Sequence, residues 1–209
     1  MAVSAAGAVL SGVYEFDRAN TRIGFAARYA MVTTVRGGFG QFGGEIRLDT
    51  EDPPASTVWV SVATASIDTG QVQRDDHLRS PDFLDVVAYP EMRFRSTAVM
   101  VAGPDRYRVG GELTIRGVTR ALTLDFALTG TSRDAAGREL VGFEGAGGFS
   151  RGDFGLTWNA ALETGGVLVG DEVTLQFDVS LIRAGAVGGR PQPAMVSARP
   201  GRRRLLRFR

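Results

Sequence analysis

The sequence has no cysteine and no lysine, and it contains a single histidine, His77. The absence of cysteine excludes disulfides, thiolate zinc sites and a cysteine nucleophile. Without lysine, the chain has no side chain that could form a Schiff base or serve as a P-loop lysine. A single imidazole also leaves an HExxH site without its second histidine, so we predict no metal site.

Long apolar runs are lacking as well. No stretch of about 18 apolar residues occurs, so no transmembrane helix is predicted. Residues 1–11 are small and largely apolar, but they have neither the positive n-region nor the long apolar h-region of a signal peptide. We therefore expect residues 1–11 to be a flexible N-terminus and the protein to be cytoplasmic.

Acidic residues are missing from the C-terminal part of the chain. All 23 acidic residues lie in residues 11–184 together with 17 arginines, whereas residues 185–209 contain seven arginines and no acidic residue. This segment is rich in Gly, Pro and Arg and lacks periodicity, so we expect a disordered, Arg-rich tail. The tail is either a solvated chain end, a contact to anionic lipid worth about 1 kcal/mol per arginine, or a nonspecific nucleic-acid contact. Leu205, Leu206 and Phe208 favour lipid, and no specific nucleic-acid binding is predicted.

Alternation of apolar and polar residues dominates the rest of the chain. In residues 172–183, EVTLQFDVSLIR, and in residues 119–130, TRALTLDFALTG, nearly every second residue is apolar. This period of two predicts half-buried strands, and turn signals rich in Gly and Asp separate them. Closure removes the edges of such an antiparallel meander. We therefore predict that residues 12–184 form one all-β antiparallel barrel of about eight strands. Several glycines inside the strands, among them Gly43, Gly44, Gly110 and Gly111, indicate bulges or sharp bends.

One segment, residues 70–87, interrupts the strand pattern and is predicted to be a short helical insertion. Asp68 or Thr69 provides an N-cap for it. Ser80 followed by Pro81 is a second helix-start signal. Helical structure is therefore expected to continue to the end of this segment.

His77 lies in this insertion, and its surroundings have two interpretations. As a catalytic centre, His77 would be a general base oriented by Asp75 or Asp76. As a structural element, the segment would close one end of the barrel. Arg74 and Asp75 would then hydrogen-bond loop backbone, and Leu78 and Phe83 would fill the core. No nucleophile motif such as GxSxG accompanies His77, so the sequence favours the structural interpretation.

A second polar group occurs in the stretch SRGDFGLTW. In one interpretation, Ser150, Arg151 and Asp153 bind the head group of a ligand. In the favoured one, they form a turn that an Arg/Asp pair closes. Trp158 and Phe154 would then flank the mouth of a pore.

Five stretches of the chain carry a family resemblance. They are, in order, YEFDRANTRIGF, VRGGFGQFGGEI, SIDTGQVQRDDHLRSPDFLDVVAYPEMRFRST, YRVGGELTIRGVTRALTL and SRGDFGL. With them, residues 12–184 resemble the YceI-like family of polyisoprenoid-binding, lipocalin-like proteins. The resemblance implies a lipocalin-like barrel with a long apolar pore for a polyisoprenoid or an isoprenoid quinone, with no cofactor and no established catalytic activity. The family often has histidines where this chain has Asn20 and Tyr29.

The apolar strand faces decide whether such a barrel is filled or hollow. The candidate inward residues mix large side chains with small ones such as Ala27, Val60 and Val179, which leaves room for a ligand. We predict ten pore-lining, ligand-binding residues: Phe25, Phe39, Phe42, Phe94, Leu113, Ile115, Leu124, Phe126, Leu175 and Phe177.

Three functions remain open at this point. The favoured one is a carrier or sequestering protein that buries an isoprenoid lipid in its pore. The second is a hydrolase or isomerase centred on His77 with Asp75 and Asp76. The third is an interaction module with a solid barrel, whose tail of residues 185–209 recruits partners. The oligomeric state does not follow from the sequence.

Overall fold

The computed structural model describes residues 10–161 and 167–184. The predicted flexible N-terminus, apart from its last two residues, and the predicted tail of residues 185–209 lie outside the described residues. The described chain forms eleven strands and one helix: β1 Gly12–Phe16, β2 Arg22–Tyr29, β3 Thr33–Phe39, β4 Phe42–Leu48, β5 Thr57–Ala63, β6 Ile67–Asp68, α1 Val72–Arg79, β7 Glu91–Gly103, β8 Arg106–Ile115, β9 Val118–Arg133, β10 Glu139–Ser150 and β11 Val169–Arg183. Short 3-10 turns occur at Pro53–Ala55, Thr64–Ser66 and Arg151–Phe154.

Eight of the strands form a closed antiparallel ring. Their order is β1-β4-β5-β7-β8-β9-β10-β11, and β11 closes the ring by pairing with β1. The closing pairs include Tyr14 with Arg183 and Phe16 with Leu181. The predicted all-β, lipocalin-like antiparallel barrel of about eight strands, with one short helical insertion, is thus confirmed.

The last strand, β11, pairs with two successive strands along one edge. Its C-terminal part pairs with β1, and residues 169–178 pair with β2. β3 follows on the other side of β2, whereas β6 pairs with only the last two residues of β3. Residues 33–37 of β3 therefore have no strand on their second edge within the part of the chain that the structure describes. Thr69, just before α1, lies against Gly37 at this edge.

Antiparallel pairing divides the connections between the two ends of the barrel. One end, the lid end, carries the β2–β3 turn, α1 with its flanking loops, the β8–β9 turn and the β10–β11 loop. The other end, the base end, carries the β4–β5 connection and the β7–β8 and β9–β10 turns. The two ends are closed by different kinds of contact.

Apolar packing closes the base end. The cluster there consists of Leu10, Tyr14, Ile46, Val141, Val179 and Leu181. Leu10 is only 3% exposed, and the Ser11 and Thr50 hydroxyl groups are hydrogen-bonded at 2.9 Å. Leu10 and Ser11, the last two residues of the predicted flexible N-terminus, are thus in contact with the barrel. Burial raises the pKa of Tyr14 above its ordinary value.

The glycines inside the strands have two different roles. Gly110 and Gly111 face a register shift between Ser96 and Ala98 of β7, as the predicted bulge requires. Gly44 instead lies in regular β4–β5 pairing, where a side chain would overlap the backbone of the opposing strand. Of the two predicted roles, a bulge is excluded at this position, and the glycine permits a close approach of two backbones.

Helix α1 covers Val72–Arg79 and is shorter than the predicted helical segment of residues 70–87. It begins after Gln71 rather than after either predicted N-cap residue. Beyond Ser80 the chain forms turns instead of a second helix. Asp85 has a left-handed backbone with φ of 47°, which a right-handed helix does not contain.

Candidate ligand-binding cavity

The barrel encloses a predominantly apolar cavity of about 290 Å³. Its wall includes Leu78 and Phe83 at the lid end and Leu10 and Pro53 at the base end, so the cavity extends along the barrel. Small-molecule sites have volumes of roughly 300–1,000 Å³, and the volume of this cavity is just below that range. The barrel is therefore hollow, which argues against the solid barrel of the interaction-module hypothesis.

Nine of the ten residues predicted to line the pore are on the cavity wall: Phe25, Phe39, Phe94, Leu113, Ile115, Leu124, Phe126, Leu175 and Phe177. Phe42 is buried but is not part of the wall, because its ring packs edge-on against Phe16 at 5.5 Å between centroids. Phe16 lines the cavity instead and was missed, although it alternates with Tyr14 in the stretch YEF. Ligand contact by these side chains stays a prediction.

Alternation produces this wall, as β11 illustrates. Val173, Leu175 and Phe177 line the cavity, whereas Thr174 and Gln176 are exposed on the outer face. The inward side chains are only half-buried, because they border open space rather than an opposing wall. The strand period of two therefore determines which residues a ligand would meet.

Glycines on the inward face of β10 help to keep the cavity open. Gly145 is paired with Phe126 of β9, and Gly147 is paired with Leu124. A methyl group at Gly145 would overlap the ring of Phe126, and one at Gly147 would overlap the side chain of Leu124. The large side chains thus lie along the wall over these glycines. Sequence reasoning missed this role, although a spacing of two places both glycines on one strand face.

Three aromatic rings cluster at the lid end. The His77 ring meets those of Trp158 and Phe83 edge-on, at centroid distances of 4.5 and 5.0 Å. Phe83 and Trp158 are 5.3 Å apart. Trp158 is thus at the lid end but is not part of the cavity wall, so its position at a pore mouth stays a prediction. Phe154 is buried in the core, with its ring 5.1 Å from that of Phe149.

The RDDHL motif, residues 74–78, connects α1 to the preceding loop through hydrogen bonds. The buried carboxylate of Asp75 accepts hydrogen bonds from the backbone N–H and the hydroxyl of Thr69, at 2.9 and 2.5 Å. Arg74 donates to the hydroxyl and the carbonyl oxygen of Thr69, at 2.7 and 2.9 Å. Arg79 donates to two further carbonyl groups of the β5–α1 segment, and Leu78 lines the cavity. These are the contacts that the structural interpretation of the motif requires.

The predicted acid/base arrangement at His77 is wrong in its partners. Nε2 of His77 lies 3.0 Å from Oδ2 of Asp82. The carboxylate of Asp75 is directed to the preceding loop, and that of Asp76 pairs with Arg79 at 3.1 Å. Neither carboxylate that was expected to orient the imidazole contacts it.

Arg151 is a buried cation that crosslinks the β10–β11 loop. It is 6% exposed. Its guanidinium donates to four backbone carbonyl groups, those of Leu156, Trp158, Val169 and Gly170. Burial lowers the pKa of Arg151, and the nearby carboxylate of Asp171 opposes this effect. The guanidinium thus replaces water as the partner of these carbonyl groups.

The turn after β10 is closed differently from the prediction. Ser150 donates to the carboxylate of Asp171, which also accepts the N–H of Gly152 at 3.1 Å. Asp153 is exposed and forms no ion pair within residues 10–161 and 167–184. The predicted Arg/Asp pair within SRGDF is therefore wrong, because the carboxylate comes from β11.

Other candidate ligands and sites have little support in the geometry. Among the residues described, no group of three or more His, Cys, Asp and Glu side chains could hold a metal ion. Asn20 donates to Asp17 at 2.8 Å, and Tyr29 is exposed at the end of β2; neither lines the cavity. None of the helices in the described ranges is long and apolar enough to cross a membrane.

Comparisons with known proteins agree with this architecture. The YceI-like domain family matches residues 14–181. A UPF0312 protein of Pectobacterium carotovorum is 36% identical over 157 residues, which cover 74% of this chain and 81% of that protein. A UPF0312 protein of Yersinia pestis is 36% identical over 154 residues, 73% of this chain and 80% of that protein.

Solved structures show the same fold. The Campylobacter jejuni YCEI protein has a TM-score of 0.65 and 25% identity, over 76% of this chain and 90% of that one. BcnA of Burkholderia cenocepacia has a TM-score of 0.68 and 24% identity, over 79% and 98%. A polyisoprenoid binding domain from Saccharophagus degradans has a TM-score of 0.60 and 16% identity, over 82% and 98%. With the family match spanning nearly the whole barrel, the chain belongs to the YceI-like family.

Proposed function

We propose that the protein binds a long apolar ligand, a polyisoprenoid or an isoprenoid quinone, inside the barrel and acts as a lipid carrier or sequestering protein. The observation that carries the proposal is the apolar cavity that extends from the lid end to the base end. The description of the Saccharophagus degradans neighbour as a polyisoprenoid binding domain supports the same ligand class.

The chemistry of the wall suits a hydrocarbon chain. Burial of each CH₂ group contributes about 0.8 kcal/mol, so some twenty buried carbons would contribute roughly 16 kcal/mol before the cost of ordering the chain. Such a ligand needs few polar partners, because its affinity is spread along its length. A wall of aliphatic and aromatic side chains therefore provides what the ligand requires.

Binding without catalysis is the form of the proposal that the geometry supports. The imidazole of His77 contacts two aromatic rings and the carboxylate of Asp82, and it lacks the predicted contacts to Asp75 and Asp76. We expect His77→Ala to retain bound lipid. If this variant lost turnover of a candidate substrate while it kept its lipid, the enzyme hypothesis would replace the carrier.

The direct test is native mass spectrometry of the full-length purified protein, followed by organic extraction of the same sample. We expect a bound mass that the extract identifies as an isoprenoid lipid. Protein that carries no lipid, and takes up none from an added isoprenoid quinone, would overturn the proposal.

A pair of variants ties the ligand to the cavity. Gly145→Val adds bulk against Phe126 on the inward face, so we expect it to lower lipid occupancy at least about tenfold. Ala146→Val adds similar bulk to the exposed outer face of the same strand and serves as the matched control. Equal occupancy in the two variants would mean that the lipid is bound elsewhere.

A further inference from the structure

The turn between β2 and β3 exposes large apolar side chains at the lid end. Met31 is 66% exposed and Val32 is 80% exposed, and Tyr29 lies beside them at the end of β2. A single exposed apolar residue is ordinary, but adjacent ones at the tip of a hairpin form a compact apolar projection. Neither Met31 nor Val32 lines the cavity, so the lipid-binding site does not account for them.

The backbone of this turn is unfavourable for the residues it contains. Ala30 and Met31 have φ angles of 48° and 61°. Such left-handed conformations favour glycine or asparagine, because a Cβ atom approaches the following carbonyl oxygen. Met31 therefore occupies a position where the backbone conformation favours glycine or asparagine and where exposure to solvent favours a polar residue. An apolar partner for the turn would account for this choice.

Unpaired positive charge flanks the apolar tip. Arg28 and Arg36 are exposed on the two strands, and neither forms an ion pair within the described part of the chain. Between Arg22 and Glu45 these are the only two arginines, and no acidic residue occurs there. Apolar side chains with flanking arginines are typical of surfaces that enter the headgroup region of an anionic bilayer.

Further exposed apolar residues lie at the same end of the barrel. Val167 is half-exposed. It lies two residues before Val169, the β11 residue that pairs with Tyr29. Val72 begins α1, and Val87 is in the loop between α1 and β7; both are largely exposed. These side chains extend the apolar character of the lid end beyond the hairpin.

We propose that the β2–β3 turn docks the lid end of the barrel on an anionic lipid bilayer. Met31 and Val32 enter the headgroup region, and Arg28 and Arg36 contact lipid phosphates. The reason for docking rests on the proposed function, since an isoprenoid ligand is stored in and delivered to bilayers. The surface differs from the Arg-rich tail, because Ala184, the last described residue before the tail, pairs with Val13 at the base end.

The first test measures partition of the full-length protein into vesicles of phosphatidylcholine and phosphatidylglycerol at about three to one. The double variant Met31→Ser/Val32→Ser should lower the partition constant at least about tenfold. The matched control is Met100→Ser/Val101→Ser on β7 near the base end, where the same two residue types are 51% and 59% exposed. Unchanged partition in the turn variant, or an equal loss in the control, would overturn the proposal.

The arginines provide a second, charge-dependent readout. Arg28→Gln and Arg36→Gln should each lower partition about fivefold at low salt, and the difference from the unmodified chain should shrink as salt is added. Replacement of the seven tail arginines by glutamine separates the two surfaces. If that change abolished partition while the turn variant retained it, the tail would be the docking element and the hairpin proposal would be wrong.

Labelling gives the orientation directly. The chain has no cysteine, so Met31→Cys and Met100→Cys each provide one site for a polarity-sensitive fluorophore. We expect a blue shift on vesicle addition at position 31 and none at position 100. Shifts at both positions, or at position 100 alone, would contradict docking by the lid end.

The docking proposal and the proposed function can fail independently of each other. A protein that purifies without lipid, yet shows the turn-dependent partition and the shift at position 31, would keep the docking surface and lose the isoprenoid cavity. A protein with bound lipid but no turn-dependent partition would keep the cavity and lose the docking surface. Binding of the turn to a protein partner, with no vesicle binding, would likewise overturn the bilayer proposal.

Discussion

The two ends of the barrel differ in the polar contacts that accompany their apolar packing. At the base end, Leu10, Tyr14 and Leu181 pack into an apolar cluster. At the lid end, Arg79 and Arg151 hold loops through hydrogen bonds to backbone carbonyl groups. Each such hydrogen bond has a net worth of about 1 kcal/mol, because water replaces it on opening. The lid end adds apolar packing of its own, since Phe83, Leu84 and Phe154 are buried there.

The largest expected effect concerns Arg151, which crosslinks the β10–β11 loop at the lid end. Arg151→Leu removes the partner of four carbonyl groups, and buried carbonyl groups without partners destabilise the fold. We expect the free energy of unfolding in urea to fall by roughly 3–5 kcal/mol. Arg93→Ala, which removes an exposed ion pair with Glu91, is the control and should change it by less than about 1 kcal/mol. A loss of less than about 1 kcal/mol for Arg151→Leu would mean that water readily replaces the guanidinium as the partner of these carbonyl groups.

The next effect separates base packing from the cavity wall. Val141→Ala should lower the free energy of unfolding by about 2–3 kcal/mol, because the side chain is fully buried in the base cluster and does not line the cavity. Leu175→Ala should cost about 1 kcal/mol, because this half-buried leucine already borders open space. Lipid occupancy should change more in Leu175→Ala than in the variant of the base cluster. Equal stability losses at these two positions would remove the distinction between the base cluster and the cavity wall.

A smaller, local effect is expected at the start of α1. Asp75→Ala removes Oδ1, the atom that accepts both hydrogen bonds from Thr69. Amide hydrogen exchange in α1 should accelerate about tenfold, while exchange in β1 and in the C-terminal part of β11 stays unchanged. Acceleration at both ends would show that the barrel opens as one unit and that the lid is not separately mobile.

The smallest effect concerns the base end and pH. Asp134 accepts hydrogen bonds from the backbone and side chain of Arg138, which hold the pKa of the exposed carboxyl below its ordinary value of 3.8. A lowered pKa in the folded state stabilises the fold above pH 3.8 and loses this effect as the pH falls through the folded pKa. The advantage of the unmodified chain over Asp134→Asn should therefore be present at pH 6 and disappear below pH 3.8. Unfolding in urea across this range measures it, and a pH-independent difference would contradict the assignment.

The sequence predicted the wall of the cavity better than its lid, for a physical reason. Alternation acts over neighbouring residues, so Phe126 and Phe177 could be assigned to the inward face without knowledge of the fold. The lid depends on contacts between distant segments. The ring contact of His77 with Trp158 and the pairing of Ser150 with Asp171 join loops that no local pattern relates.

Two local errors have equally specific causes. Ser80 and Pro81 are a genuine helix-start signal, but the chain forms only turns after them, and the left-handed backbone of Asp85 is incompatible with a helix that continues to residue 87. Phe42 has the periodicity of a wall residue, yet the neighbouring ring of Phe16 occupies that part of the wall. Backbone conformation and competition between neighbouring side chains are decided in three dimensions, so periodicity alone does not settle them.

The position of β11 in the ring has a consequence for biosynthesis. This last strand completes the barrel by pairing with the first two strands, and Thr21 bonds Ser180 across 159 residues of sequence. During synthesis the edges of β1 and β10 stay unpaired until nearly the whole body has emerged from the ribosome. Contacts of such high sequence separation predict slow folding. We therefore expect the nascent chain to depend on chaperones or low concentration until its C-terminal strand is available.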